Sequence, residues 1–370
     1  MVGARRFGSL DVLKGLAILG VVTAHTLGPV LPRLPGVVAT VIASGTRGVQ
    51  LFFVISATLA FISFDRMRDR QASPSSYYIR KWFRLAPLYY LALAVVLLVG
   101  GLGPRYWTGG VRPVDAPNLV AHVLFVHDLN PYWANSVIGI EWFVGVLALF
   151  FLAMPLLFRM IGTLRVALVW LVLAAIGSAA TVHFLSASGS PIPETYLWRE
   201  YLNISLLAQF PVLLVGPVVY FLDRELLSDP RERTVRRRVL LCGIGVILVA
   251  ATGVLEFLPI PDALIFGLAF GAIVLGVMRW GPSDGGSNAL SAFGRASYGM
   301  YLFHLLVLQA VLAVVFRLCG FQNEVLLRGV SLAPTVILSF LLSVLLFRVV
   351  ERPAARWGDS LLAERDQFKR

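Results

Sequence analysis

The chain has 370 residues, 58% of them hydrophobic and 14% charged, with a mean hydropathy of +0.80. A soluble domain carries about 45–50% apolar and about 25% charged residues, so a water-soluble globular enzyme is excluded. The net charge of +12 raises a polyanionic partner, but the basic residues collect in alternate loops between apolar runs, so no nucleic-acid partner is expected.

Apolar runs long enough to cross a hydrocarbon core of roughly 30 Å fall at about 10–31, 46–65, 85–102, 138–158, 166–185, 203–222, 239–258, 263–280, 297–316 and 331–350. They predict an all-α, polytopic membrane bundle of ten helices over 1–350 and a short charged tail over 351–370. The run 118–127 is too short to span and reads as a re-entrant or interfacial piece. The first run holds Lys14 and has no small-residue cleavage site after it, so it is expected to stay as a helix rather than act as a signal peptide. With the N-terminus inside, twenty-four Lys and Arg fall in cytoplasmic segments and seven in external ones, Lys14 lying within the first span. That asymmetry predicts both ends in the cytoplasm.

Titratable groups inside spans cost roughly 2.5–3.5 kcal/mol each and face a bundle interior or a wet cavity. In the first span, Lys14 and His25 lie within roughly 20° of one helix face and about 16 Å apart along the axis. A lysine near the cytoplasm is either a snorkelling anchor or a phosphate contact. An imidazole in the outer half is either a packing hydrogen bond or a general base.

Next comes SSYYIRKWFRLAPLYY (75–90), where Arg80, Lys81 and Arg84 precede the third span. Arg80 and Arg84 share a helical face. The cluster serves either as positive-inside anchoring or to grip phosphate oxygens through paired hydrogen bonds. The external segment 103–137 carries aromatics of the kind found at headgroup level. Its His122, His127 and Asp128 form only a loose set without a fourth partner, and no metal is expected.

Glu141 opens the fourth span at a depth similar to His25, which it either orients or leaves for a salt bridge with an external arginine such as Arg47. Trp142 beside it is a belt or site-lining residue. Pro211 and Pro217 are placed to break the sixth span. Cys242 and Cys319 read as small buried hydrophobes. In ASYGMYLFH (296–304), Ser297, Tyr301 and His304 share one face, which suits packing and site lining equally.

Taken together, LDVLKGLAILGVVTAH (10–25), GVQLFFVISATLAF (48–61), YYIRKWFRLAPLYYL (77–91), GIEWF (139–143), ASYGMYLFH and VERP (350–353) resemble the membrane acyltransferase-3 family of multi-pass O-acyltransferases. The resemblance covers nearly the whole chain. It implies an acyl-CoA donor, acetyl-CoA by default, held at the cytoplasmic face of the cell membrane. It also implies an acceptor hydroxyl on a carbohydrate, lipid-linked glycan or secondary metabolite at the outer face, with no tightly bound cofactor.

Residue by residue, it assigns catalysis to His25 and Glu141 and donor binding to Lys14, Lys81 and Arg84, with Arg80 adjacent. Trp142, Tyr301 and His304 are candidate lining residues. The chain departs from the pattern in having two lysines for arginines, Gln50 and Ala57 where an acidic residue and a glycine are common, and its proline only at Pro155. The alternative from another class is a carrier or flippase that moves a lipid-linked glycan without chemistry.

Overall fold

A computed structural model describes residues 8–69, 73–250, 261–279 and 289–367. Among the described residues there is helix and no strand, as a chain that must satisfy its backbone within lipid requires. In order the helices are α1 (Gly8–Leu27), α2 (Gly36–Ser44), α3 (Gly48–Asp69), α4 (Pro74–Gly100), α5 (Ala116–Val123), α6 (Trp142–Met160) and α7 (Leu164–Ala187). Then follow α8 (Thr195–Ile204), α9 (Leu206–Leu226), α10 (Glu232–Ala250), α11 (Asp262–Val277), α12 (Ala289–Cys319), α13 (Glu324–Leu346) and α14 (Arg352–Gln367).

Eight helical segments among the described residues are long and apolar enough to span a membrane, and each overlaps one of the apolar runs read from the sequence. The run 239–258 coincides with α10 but extends beyond the described residues. The run 263–280 is the shorter apolar helix α11.

Several boundaries move for local reasons. The third span begins at Pro74 rather than at 85, because a proline at the first helical position starts a helix without losing a bond. It ends at Gly101, whose φ of 66° needs a glycine and whose N–H caps Leu97 O at 2.8 Å. α5 starts under Asp115, which accepts the Asn118 N–H at 2.9 Å. α9 runs through Pro211 and Pro217 as one helix, so the expected break in this span is absent. Cys242 and Cys319 are exposed free thiols rather than buried ones, since both stand on outward helix surfaces.

The chain forms two compact units, Met1–Leu59 with Thr163–Ala179 and Pro211–Ser343, and Ala60–Gly162 with Ala180–Phe210 and Val344–Arg370. In the first, α1 and α12 pack side by side. A Cβ at Gly15 would overlap the Leu290 carbonyl, and one at Gly294 would overlap the Asp11 carbonyl, so the two backbones touch where only glycine fits. Ala57 is accommodated in the same way, because the residue facing it on α9 is Gly216. At another corner of this unit, buried Arg236 donates to Asp223 at 2.8 Å, Glu232 at 2.9 Å and Leu275 O at 2.7 Å.

The glycine contact gives a direct test. Gly294→Ala forces α1 and α12 apart, an overpacking that costs about 1–3 kcal/mol. A lower unfolding temperature in detergent is the expected readout.

In the second unit, α14 docks on α4. Trp357 meets Phe83 edge-on with ring centroids 5.3 Å apart, and Gly358 leaves room for the Phe83 ring. Within the charged tail, Arg352–Gln367 is therefore a folded helix.

Candidate active site

In the first unit, the partner of His25 is His304. His25 Nδ1 lies 2.9 Å from His304 Nε2, with the ring centroids 5.0 Å apart. His304 is fully buried, while His25 is only partly covered. The Nδ1 of His304 sits 2.8 Å from Tyr301 O and 3.1 Å from Met300 O. Tyr301 is 2% exposed and its ring lies 6.1 Å from that of His304, so two of the expected lining residues are neighbours and one of them, His304, meets His25.

A register explains why. Gly15 and His25 are ten residues apart, and so are Gly294 and His304. With the glycines in contact and the helices parallel, both histidines arrive at one level, about 15 Å further on.

Lys14 pairs with Asp11 one turn earlier at 3.2 Å, both largely buried. Asp11 was missed in the sequence, although its spacing of three from Lys14 is the ordinary signal for a helical ion pair. Just past His25, the Thr26 carbonyl accepts from Arg328 at 3.1 Å, and Arg328 is itself paired with Glu324 at 3.0 Å. Arg47, considered as a partner for Glu141, instead bonds Asp262 at 3.2 Å.

In the second unit, Arg80, Lys81 and Arg84 divide. Arg80 and Arg84 are exposed. Arg80 lies 3.5 Å from Asp359 of α14, and Arg84 is within electrostatic reach of Glu351. Lys81 turns the other way, its ammonium 3.9 Å from the centroid of the Phe151 ring and 5.5 Å from that of Tyr77.

Glu141 stands at the N-cap of α6 rather than inside it, fully buried. Its carboxylate folds back on its own loop. Oε1 accepts from Val137 N at 2.6 Å and His122 Nε2 at 3.3 Å, and Oε2 from Gly139 N at 2.5 Å and Ile140 N at 3.0 Å.

His122 Nδ1 faces the Asn118 carbonyl at 2.9 Å. A carbonyl and a carboxylate can only accept, so both ring nitrogens of His122 lie against acceptors. Burial pushes the Glu141 carboxyl up, but the His122 contact and the backbone amides outweigh it and hold it below the usual carboxylate value.

His127 stacks on His122 with centroids 4.4 Å apart and donates to Glu141 O at 3.0 Å. Burial, then the neighbouring His122 charge, lower its pKa to about 4. Asp128 accepts from Leu206 N at 2.9 Å through Oδ2, while its buried Oδ1 has no hydrogen-bond partner. Burial lifts its pKa well above the carboxylate range.

Among the described residues no group of three or more His, Cys, Asp or Glu is arranged to hold a metal ion. Trp142 is buried, its backbone N–H bonded to Asn135 Oδ1 at 3.1 Å. In the preceding loop, Tyr132 donates to Glu194 at 2.6 Å under the guanidinium of Arg112, and Tyr196 donates to Trp107 O at 3.3 Å. These aromatic side chains tie loops together.

Eight apolar helical segments long enough to span a membrane, among the described residues, define a multi-pass membrane protein. Residues 7–347 match the family model of the acyltransferase domain of the acyltransferase-3 type, and the chain belongs to the membrane acyltransferase-3 family. No curated protein and no solved structure matches the chain. It is a multi-pass membrane acyltransferase.

Proposed function

We propose that the chain moves an acyl group, acetyl in the leading case, from acyl-CoA at the cytoplasmic face of the cell membrane to a hydroxyl at the outer face. The acceptor is an envelope carbohydrate, a lipid-linked glycan or a secondary metabolite. The ten-helix path, with both ends cytoplasmic, belongs to this proposal, with 1–350 as the acyltransferase domain and 351–370 as its tail.

The observation that carries the reading is His25. It is a partly exposed imidazole on an apolar helix, hydrogen-bonded on one edge to a buried partner. A neutral imidazole with one edge free is the group most suited to take a hydroxyl proton near neutral pH.

In this scheme Arg80, Arg84 and Lys81 hold the phosphates of the donor, with Lys14 contributing a further positive charge. Asp359 and Glu351 keep the two arginines extended until phosphate replaces them. Glu141 acts through the loop it organises, which shapes the approach to the acceptor, and Trp142 and Tyr301 line the site. The donor is a substrate, and the scheme needs no resident cofactor.

Arg84→Ala is expected to raise the KM for acyl-CoA about tenfold, the loss of one charge-assisted hydrogen bond, and to change kcat little. Initial-rate kinetics with varied donor would show it.

The proposal as a whole is tested in proteoliposomes carrying labelled acetyl-CoA on the arginine-rich side and envelope glycan on the other. Ester formation on the glycan is expected. Movement of label or glycan without an ester would replace the enzyme by a carrier, a reading that rests on buried His and Glu together with an expected break in α9.

A further inference from the structure

We propose that His304 is the positioning residue for His25, fixing the tautomer in which Nδ1 carries the proton and Nε2 keeps the reactive lone pair. This rests on the acyl-transfer reading above and adds to it which atom of His25 reacts and what holds that atom ready.

The argument is a count of donors and acceptors. Met300 O and Tyr301 O face His304 Nδ1 at 3.1 and 2.8 Å. Carbonyl oxygens only accept, so His304 Nδ1 carries a hydrogen. In the neutral ring Nε2 then holds a lone pair. That lone pair lies 2.9 Å from His25 Nδ1, so the hydrogen between the rings belongs to His25 Nδ1. Neutral His25 is left with its lone pair on Nε2.

Burial agrees with this division of labour. His304 is sealed at 0% exposure and His25 is the more open of the two. His304 therefore has no route to substrate except through its partner. The anchoring is rigid, because the carbonyls belong to the same helical turn as His304 and the glycine contact between α1 and α12 sets the level of both rings.

In the reaction, the acceptor hydroxyl gives its proton to His25 Nε2 as its oxygen forms the new C–O bond to the acyl carbon. The C–S bond of the thioester breaks, and the departing thiolate takes the proton back from Nε2. Ester and thiol are the products, and His25 returns neutral. Throughout, Nδ1–H stays hydrogen-bonded to His304 Nε2, which carries part of the transient imidazolium charge.

The test compares His304→Leu, which fills the space without an acceptor, and His304→Gln, whose Oε1 can accept at the old Nε2 position. Nitrogen-15 NMR of histidine-labelled full-length protein in detergent reads the tautomer of His25 with no substrate present. Wild type and His304→Gln are expected to show protonated Nδ1 and bare Nε2, and His304→Leu a mixture.

With acetyl-CoA as donor and an envelope glycan extract as acceptor, His304→Leu should lose about a hundredfold in kcat. Its donor KM should be unchanged, and His304→Gln should recover most of the loss. A wild-type His25 protonated at Nε2, or a His304→Leu protein with an unmoved tautomer, overturns the proposal. So does a Gln variant no better than Leu by either readout. Failure of the acyl-transfer reading looks different: wild type would make no ester while the NMR result still stands.

Discussion

A His25→Ala protein that inserts normally is expected to lose acyl transfer by about two to four orders of magnitude, the range that one positioned general base supplies. The fall should be in kcat, because the imidazole meets the acceptor proton in the transition state and the donor is assigned to other side chains. Rapid-quench assays with labelled acetyl-CoA would measure it and also show whether label stays on the wild-type protein before the acceptor is added. Full activity in the alanine variant would end the proposal that His25 does the chemistry. A gentler control is available in Thr23, two residues before His25 and so on the opposite side of α1, where substitution by serine should leave transfer intact.

The second large effect is a contrast between two buried carboxyls of one loop. Glu141→Gln is expected to cost about 1–3 kcal/mol for each buried donor left unsatisfied, because it turns an NH2 toward amides that donate. Asp128→Asn should be neutral or mildly stabilising at neutral pH, since burial already opposes its ionised form and a single backbone N–H supports it.

The pH signs are opposite too. The carboxyl of Glu141 is depressed, so its stabilisation is present above the ordinary value of 4.5 and is lost as pH falls below it. Asp128 is raised, so its contribution is present below 3.8 and is lost as pH rises. Hydrogen exchange at Val137, Gly139 and Ile140 is the local readout. It should quicken in Glu141→Gln and stay slow in Asp128→Asn. Equal behaviour of the two variants would refute the ionised cage around Glu141.

Much of this was legible in the linear pattern and some was not. The apolar runs marked the spanning helices because length and hydropathy are local properties. His25 and the basic cluster stood out because charge in an apolar run is costly. The start of α4 was misplaced because residues 74–84 are polar enough to resemble a loop, while Pro74 makes them the first turns of the helix.

Glu141 was placed within a span, but its acceptors are satisfied by amides one to four residues back, a geometry that only turns at 131–141 create. The pairing of His25 with His304 joins residues 279 apart, beyond any window. Its one sequence signature, the equal spacing from glycine to histidine in α1 and α12, means something only once the two helices are known to touch. The same holds for Asp359 of α14 and Glu351 just before it, which acquire significance from the arginines beside them.

The glycine-to-glycine contact of α1 and α12 acts as a ruler cut into the main chain. Because backbone atoms, not adaptable side chains, set the gap, bulk cannot be traded across it by compensating pairs of substitutions. Drift toward new donors or acceptors is therefore expected to accumulate on the surrounding helices and loops. An engineer seeking altered specificity should leave these two helices alone and randomise their neighbours.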